Sequence, residues 1–215
     1  MKLLYGTGND AKLKSMRAML KGLNLDIVGL KDINAYVESV DEKGSSPLEN
    51  AKIKATAYYK ALRVPVFSCD SGLYIEGLPD NRQPATYVRR VNGKTLNDEE
   101  MIEYYTKIAS EFGGEVKAQY KNAIYLILND KDAYAYDDNS ICESFIITSK
   151  VHPNRRKGFP LDSISLDIKT GKYYMDIQLN NNIDENKISD GFRSFFIKNI
   201  SEISNKYYKF NNKGE

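Results

Sequence analysis

The sequence predicts an α/β protein in which an elongated mixed β-sheet is flanked by helices. Two observations carry this fold class. In the first half of the chain, short apolar runs with β-branched residues alternate with stretches whose apolar residues recur at helical spacing. Further on, two segments rich in tyrosine and isoleucine, residues 116–129 and 132–148, predict long strands paired through the short polar connection between them. This order of elements predicts helices packed around one sheet.

The length and charge of the chain limit the classes of protein to consider. A chain of 215 residues is long enough for one sizeable domain and does not require two. We expect that domain over residues 1–205, followed by a polar tail over 206–215. The formal net charge of +2 gives no global field for binding nucleic acid or a membrane. Cys69 and Cys142 form neither a disulfide framework nor a metal-binding spacing, so we expect a cytoplasmic chain. No apolar run approaches transmembrane length, so we expect no membrane span.

A polar turn follows the first predicted strand and leads directly into the first helix. This turn, TGNDAK at residues 7–12, places free backbone N–H groups at a helix N-terminus, where a phosphate binds favourably. Thr7 and Asn9 add side-chain donors, and Lys12 adds a positive charge in the first helical turn. The alternative is a plain helix start, capped by Asn9 or Asp10, with Lys12 in solvent.

The second helix is signalled by a capping box, SPLE at residues 46–49, with proline at the first helical position. Asn50 and Lys54 are four residues apart and share a face of this helix that differs from its apolar stripe. Glu49 is explained by its capping position. Glu42, in the loop before the helix, has no such local role and is the better candidate for a metal ligand.

Asp70 is the main candidate for chemistry. An apolar run over residues 64–67 predicts a buried strand that ends near Asp70, Ser71 and Gly72. A carboxylate is costly to bury there unless it is paired or faces a ligand, and ligand crevices of α/β sheets lie at strand ends. The alternative is a simple turn, because Asp and Gly are common turn residues.

Downstream, the pair Arg89 and Arg90 is suited either to gripping anionic oxygens or to solvation. His152, the only histidine, is predicted to lie at the surface because no nucleophile pattern accompanies it. Strands are predicted over residues 164–168 and 173–179. A final helix is predicted to begin at a capping serine, Ser189, and to bury the apolar residues Phe192, Phe195, Phe196, Ile200 and Ile203.

Several segments, in order, resemble motifs of the inosine triphosphate pyrophosphatase family, which hydrolyses nucleoside triphosphates to the monophosphate and pyrophosphate. TGNDAK at residues 7–12 resembles the opening T-G-N-x-x-K loop of that family, and ENAKIKA at 49–55 resembles its E-N-A-x-x-K-A helix. DSGL at 70–73 matches D-S-G-L, and residues 84–90 resemble P-G-x-Y-S-A-R with the final arginine retained as Arg90. Such ordered agreement is far more specific than any single motif.

The resemblance implies a Maf/Ham-type fold, a homodimer, Mg²⁺ as cofactor and a nucleoside triphosphate as substrate, with no nucleic-acid or membrane partner. It implies that Asp70 and Lys54 are catalytic and that Glu42 and Asp70 hold the metal. Phe159 is expected to stack on the base, the alternative being a core aromatic. The substrate-binding residues implied are Thr7, Gly8, Asn9, Lys12, Asn50, Ser71, Gly72, Arg90, Phe159, Asp162 and Ser189.

The last third of the chain departs from the family pattern. In the segment that resembles the K-N-x-x-S-H-R motif, Asp190 and Gly191 replace histidine and arginine. Lys187 or Arg193 could substitute from one helical turn away. We expect action on aberrant purine nucleotides such as ITP, dITP or XTP. The alternatives are a pyrophosphatase of the same fold that acts on another or modified nucleotide, and a nucleotide-binding protein without turnover.

Overall fold

The computed structural model describes residues 1–179 and 189–200, so the predictions for Lys187, Ile203 and the tail lie outside the described residues. The helices and strands, numbered in chain order, are β1 (Lys2–Tyr5), α1 (Asp10–Met19), β2 (Asp26–Val28), α2 (Pro47–Leu62), β3 (Val66–Ile75), β4 (Arg90–Val91), β5 (Lys94–Thr95), α3 (Asp98–Glu111), β6 (Glu115–Ile127), β7 (Ala133–Tyr136), β8 (Glu143–Thr148), β9 (Ser165–Leu166), α4 (Tyr174–Leu179) and α5 (residues 189–200).

Seven of these strands form one sheet in the order β2-β1-β3-β6-β8-β9, with β7 also paired to β6. β1 runs parallel to β2 and β3, whereas β6 is antiparallel to β3, β7 and β8. The prediction of an elongated mixed sheet flanked by helices is confirmed. Among the described helices, none is both long and apolar enough to cross a membrane.

The two faces of the sheet bury different groups of residues, because side chains alternate along each strand. Helix α2 covers one face and packs Ala55 against it. On the other face, α1 and α5 cover a first apolar cluster that includes Phe67 and Phe196. Helix α3 covers a second apolar cluster, which includes Leu73 and Phe145. The first and second clusters lie side by side on the same face of β3, β6 and β8.

The structure corrects the prediction of a strand ending at Asp70. β3 continues from Val66 to Ile75, because β6 supplies an antiparallel partner for each of its residues and Asp70 lies opposite Ala123. The alternative of a turn at this position is therefore wrong as well. β1 stops at Tyr5, so Asp70 lies in the interior of β3, just past the end of its parallel neighbour.

Two other predicted strands are also wrong. Residues 132–148 form two strands, β7 and β8, because Asp138 caps a 3-10 turn at Asn139–Ile141 between them and accepts a bond from the Ser140 N–H at 2.8 Å. Residues 173–179 form helix α4 after a single bridge at Tyr173, whose carbonyl accepts the first helical bonds.

His152 is not a surface residue as predicted. Its side chain is only 11% exposed, and its Nε2 lies 3.1 Å from Oδ1 of Asp176 on α4. The backbone N–H of Asn154 donates to Nδ1, which leaves the proton on Nε2 to be donated to the aspartate. This histidine therefore fastens α4 to the loop that follows β8.

Candidate active site

Four side chains from three segments meet beside the middle of β3. Lys54 Nζ lies 2.9 Å from Glu42 Oε2 and 3.7 Å from Asp70 Oδ1, and Asn50 Nδ2 donates to Asp70 Oδ2 at 3.1 Å. The Lys54 and Asp70 side chains are only 13% and 12% exposed, which makes each of them dependent on the other for charge compensation. We call these four residues the acid–lysine cluster.

The local sequence brings α2 and the preceding loop into this arrangement. Ser46 caps α2 as predicted, but Glu49 bonds to Ser45 rather than closing the capping box on Ser46. Asn50 Oδ1 accepts from the Gly44 N–H at 2.8 Å while its amide holds Asp70. A Cβ on Gly44 would lie 2.7 Å from that same oxygen, so glycine is needed for the Glu42 loop to approach the helix.

The charges of the cluster are strongly coupled to Lys12. Burial raises the pKa of Asp70, although the positive charges of Lys54 and Lys12 oppose the shift. Burial also lowers the pKa of Lys12, and repulsion from Lys54 adds to that effect. Two ammonium groups held close together at an acidic cluster favour an additional anion, and a bound phosphate would supply one.

The loop before α1 is a capped helix start, as one of the two interpretations predicts. Asn9 caps α1, and its Oδ1 accepts from the Ala11 N–H at 2.9 Å and the Lys12 N–H at 3.2 Å. Thr7 Oγ1 accepts from the Asn9 N–H at 3.2 Å, so the loop is internally fixed. The Thr7 hydroxyl and the Asn9 amide group keep hydrogens to donate. Lys12 is partly buried, contrary to the alternative of a solvated lysine.

The segment 156–162, which contains Phe159 and Asp162, packs against the start of α1. A Cβ on Gly158 would lie 3.0 Å from Cβ of Ala11, which shows how closely the segment packs on the start of α1. The guanidinium of Arg156 lies 4.1 Å from the centroid of the Phe159 ring and donates to Asp162 Oδ2 at 2.9 Å. Phe159 is partly exposed and stacked by a cation, so the alternative of a core aromatic is not borne out.

Several predicted residues are not brought to the cluster by any contact in the described part of the chain. Arg90 is exposed and lies over Tyr87, 5.0 Å from the ring centroid, and Arg89 bonds to Asp98. Ser71 and Gly72 follow Asp70 on β3, and Ser71 Oγ donates to Asn122 at 2.6 Å. Ser189 is the first residue of the described part of α5.

One of the two proposed substitutes in the divergent segment makes its contacts away from the loop before α1. Arg193 donates to the carbonyls of Met19 and Lys21 at 3.1 and 2.8 Å, at the C-terminal end of α1. That end is about 15 Å from the N-terminal loop of the same helix. A Cβ on Gly191 would lie 2.5 Å from the Ser140 carbonyl oxygen, so α5 packs where a longer side chain would not fit.

Sequence reasoning missed three groups that shape the site. Ser68 Oγ donates to the Gly6 carbonyl at 3.0 Å, and a Cβ on Gly6 would lie 2.5 Å from the hydroxyl oxygen of Ser68. Asn122 bonds to both Ser71 and the Ile141 carbonyl. These roles depend on which strands pair, and nothing in the local sequence indicates that.

An α/β fold that brings two lysines and two carboxylates together near a helix N-terminal loop is typical of proteins that bind phosphate groups. The chain belongs to the Ham1 family, whose model matches residues 3–183. The resemblance found in the sequence motifs is therefore confirmed.

Curated relatives and solved structures agree with this family. A dITP/XTP pyrophosphatase of Mannheimia succiniciproducens is 26% identical over 199 residues, which are 91% of this chain and 95% of that protein. One from Thermus thermophilus is 27% identical over 83% of this chain and 82% of its own. A Ham1 protein of Coxiella burnetii is similar in fold, with a TM-score of 0.67, 22% identity and coverage of 92% and 99% of the two chains. The Staphylococcus aureus Ham1 protein gives a TM-score of 0.65 with 22% identity and coverage of 92% and 98%.

Proposed function

We propose that this chain hydrolyses nucleoside triphosphates to the monophosphate and pyrophosphate, and that it acts on aberrant purine nucleotides such as ITP, dITP and XTP. The observation that carries the proposal is the acid–lysine cluster beside the loop of Thr7, Asn9 and Lys12. The relatives named dITP/XTP pyrophosphatase, which match most of the chain, support the same reaction.

We propose Mg²⁺ as the cofactor. Glu42 and Asp70 both lie within 4 Å of one cationic atom, the Nζ of Lys54, so their oxygens converge on a position that favours positive charge. Among the described residues no group of three acidic, histidine or cysteine side chains converges on one point. Two carboxylates fit Mg²⁺, which retains waters and takes further oxygens from substrate phosphates. When bound, the ion would neutralise charge on those phosphates.

The remaining steps are assigned to the residues of the chain. Asp70 orients the attacking water and accepts its proton, as a carboxylate fixed beside Lys54 and Asn50 can do. The water oxygen bonds to the α-phosphorus, and the bond to the bridging oxygen of pyrophosphate breaks. Lys12 and Lys54 stabilise the charge on the leaving pyrophosphate. Asn50 holds the carboxylate of Asp70 in place.

We further propose a cytoplasmic homodimer, with β7 near the interface. In the described part of the chain β7 pairs only with β6, so its other edge is available. Sedimentation velocity is expected to give twice the mass of one 24.4 kDa chain, and a monomer at all concentrations would contradict the assembly.

The activity is tested by incubating the protein with Mg²⁺ and ITP, dITP, XTP, ATP or GTP, and quantifying monophosphate, pyrophosphate and orthophosphate. We expect equal amounts of monophosphate and pyrophosphate from at least one of ITP, dITP and XTP and less from ATP or GTP, with loss of turnover when the metal is chelated. Release of orthophosphate and the nucleoside diphosphate would contradict the reaction. Tight nucleotide binding without any product would instead favour a binding protein.

A further inference from the structure

Tyr58 on α2 is a buried tyrosine whose hydroxyl has no hydrogen-bond partner in the described part of the chain. The residue is only 6% exposed. Tyr105, which is also buried, donates to the Val88 carbonyl at 2.8 Å, as buried tyrosines usually do. Every fully buried side-chain nitrogen or oxygen among the described residues has a partner, so the hydroxyl of Tyr58 reaches the surface. Its ring is buried, and its polar tip is left to bond to a group outside the fold.

Tyr58 continues the face of α2 that carries the acid–lysine cluster. Asn50, Lys54 and Tyr58 follow one another at intervals of four residues, so they share one side of the helix. Side chains of a helix lean towards its N-terminus, which directs the ring of Tyr58 towards Lys54. The charges of Lys54 and Glu42 both act on the hydroxyl of Tyr58. The polar tip is therefore aimed at the cluster.

The ring of Tyr58 also borders the loop that is proposed to bind phosphate. A Cβ on Gly6 would lie 3.2 Å from Cγ of Tyr58, and Thr7 follows Gly6 directly. The Gly6 N–H donates to the Phe67 carbonyl at 2.8 Å, which fixes the start of the loop beside β3. Tyr58 thus lies between the start of this loop and Lys54, the two parts of the site that are suited to phosphate oxygens.

The hydroxyl of Tyr58 is suited to donate to an anion. Burial raises the pKa of Tyr58, so the hydroxyl keeps its proton at neutral pH. Neither carboxylate of the cluster accepts from it, although Glu42 and Asp70 both contact the neighbouring Lys54. A hydrogen bond to a charged phosphate oxygen is stronger than one to a neutral acceptor. An uncommitted donor next to a lysine therefore favours a phosphate ligand.

The order of the residues along α2 indicates which phosphate Tyr58 would meet. Asn50 bonds to Asp70, the residue proposed to orient water at the α-phosphorus. Lys54 is one turn further along the helix, and Tyr58 is one turn beyond Lys54. A triphosphate that begins at Asp70 and extends past Lys54 brings its outer two phosphates, the leaving pyrophosphate, towards Tyr58.

We propose that Tyr58 is a substrate-binding residue whose hydroxyl donates a hydrogen bond to an oxygen of the pyrophosphate portion of a bound nucleoside triphosphate. This inference rests on the proposed function and adds a neutral donor to the positive charges of Lys12 and Lys54. Within the part of the chain that the structure describes, no hydrogen bond of this hydroxyl has to break before the nucleotide binds. The new bond therefore replaces only contact with solvent.

The test compares the wild-type protein with Tyr58→Phe, which removes only the hydroxyl group and keeps the ring. We expect kcat/KM for the best substrate among ITP, dITP and XTP to fall about tenfold, the size of one hydrogen bond to a charged group. The dissociation constant of inorganic pyrophosphate, measured by calorimetry with Mg²⁺, should rise by the same factor. Tyr59→Phe is the matched control and should change neither value, because the Tyr59 ring lies under Arg63, 5.6 Å from its guanidinium.

Thermal unfolding without ligand separates a binding role from a structural role. Ligand-free Tyr58→Phe should unfold at the wild-type temperature or slightly above it, since no hydrogen bond among the described residues is lost. A lower unfolding temperature of Tyr58→Phe together with weaker binding would mean that the hydroxyl supports the fold, and would overturn the proposal.

The binding of inorganic pyrophosphate, which needs no turnover, separates this inference from the proposed function. If the wild type hydrolyses a nucleotide but Tyr58→Phe keeps both the wild-type kcat/KM and the wild-type affinity for pyrophosphate, the role of Tyr58 is overturned and the function stands. If no nucleotide is hydrolysed but Tyr58→Phe binds pyrophosphate more weakly than the wild type does, Tyr58 binds phosphate and the proposed reaction fails.

Discussion

Replacement of Asp70 by asparagine is expected to lower pyrophosphate release from ITP by about 10³-fold, within the range typical for loss of a positioned acid or base. Asparagine has the same shape, so its side-chain oxygen can still accept from Asn50. What it loses is the negative charge facing Lys54 and the ability to accept a proton from water. Steady-state kcat, measured with saturating Mg²⁺, tests the expectation.

Two measurements make this result specific to the carboxylate. Thermal unfolding of Asp70→Asn should stay close to wild type, because Glu42, 2.9 Å from Lys54, still compensates the charge of that lysine. Asp80→Asn changes an exposed aspartate in the loop after β3 and serves as the matched control with full turnover. Near-wild-type kcat in Asp70→Asn would show that another group activates the water.

The sequence singled out Asp70 as a candidate, and the structure brings it together with Lys54 and Asn50, although the local argument for it was wrong. A strand was predicted to end there, whereas β6 keeps β3 extended through Gly72. Asp70 lies past the end of the neighbouring strand β1, and the length of a neighbouring strand cannot be read from the apolar run itself. The family motifs pointed to the residue because they are sequence patterns and do not depend on which backbone element carries it.

Helix α2 shows which features were predictable from spacing alone. Asn50 and Lys54 do share the face that meets Asp70, as a separation of four residues requires. The bond from Gly44 to Asn50 was not predictable, because it joins a loop without periodicity to the helix.

Local reasoning also failed for Arg193, because contacts between segments far apart in the sequence set its position. Arg193 lies one turn from the divergent segment, yet α5 directs it to the C-terminal carbonyls of α1. Helix propensity and motif order therefore predicted the residues of the acid–lysine cluster and of the loop before α1, whereas the position of Arg193 is set by long-range packing.

Replacement of Lys54 by methionine is expected to lower turnover of ITP by at least about 10²-fold while strengthening Mg²⁺ binding in the absence of nucleotide. Lys54 contacts both Glu42 and Asp70, so its ammonium occupies the position that a cation would share. Methionine keeps the length of the side chain without the charge. The two carboxylates then lack a counterion and favour the metal, but the leaving pyrophosphate loses a stabilising charge.

Mg²⁺ affinity is measured from the rise in unfolding temperature with metal concentration, since a ligand that binds only the folded state stabilises it by mass action. Lys52→Met, an exposed lysine on the same helix, is the matched control and should change neither quantity. A fall in both turnover and metal affinity in Lys54→Met would mean that Lys54 only holds the two acids in place. A fall in turnover with a gain in metal affinity requires that the lysine and the metal compete for the same carboxylates before the nucleotide binds.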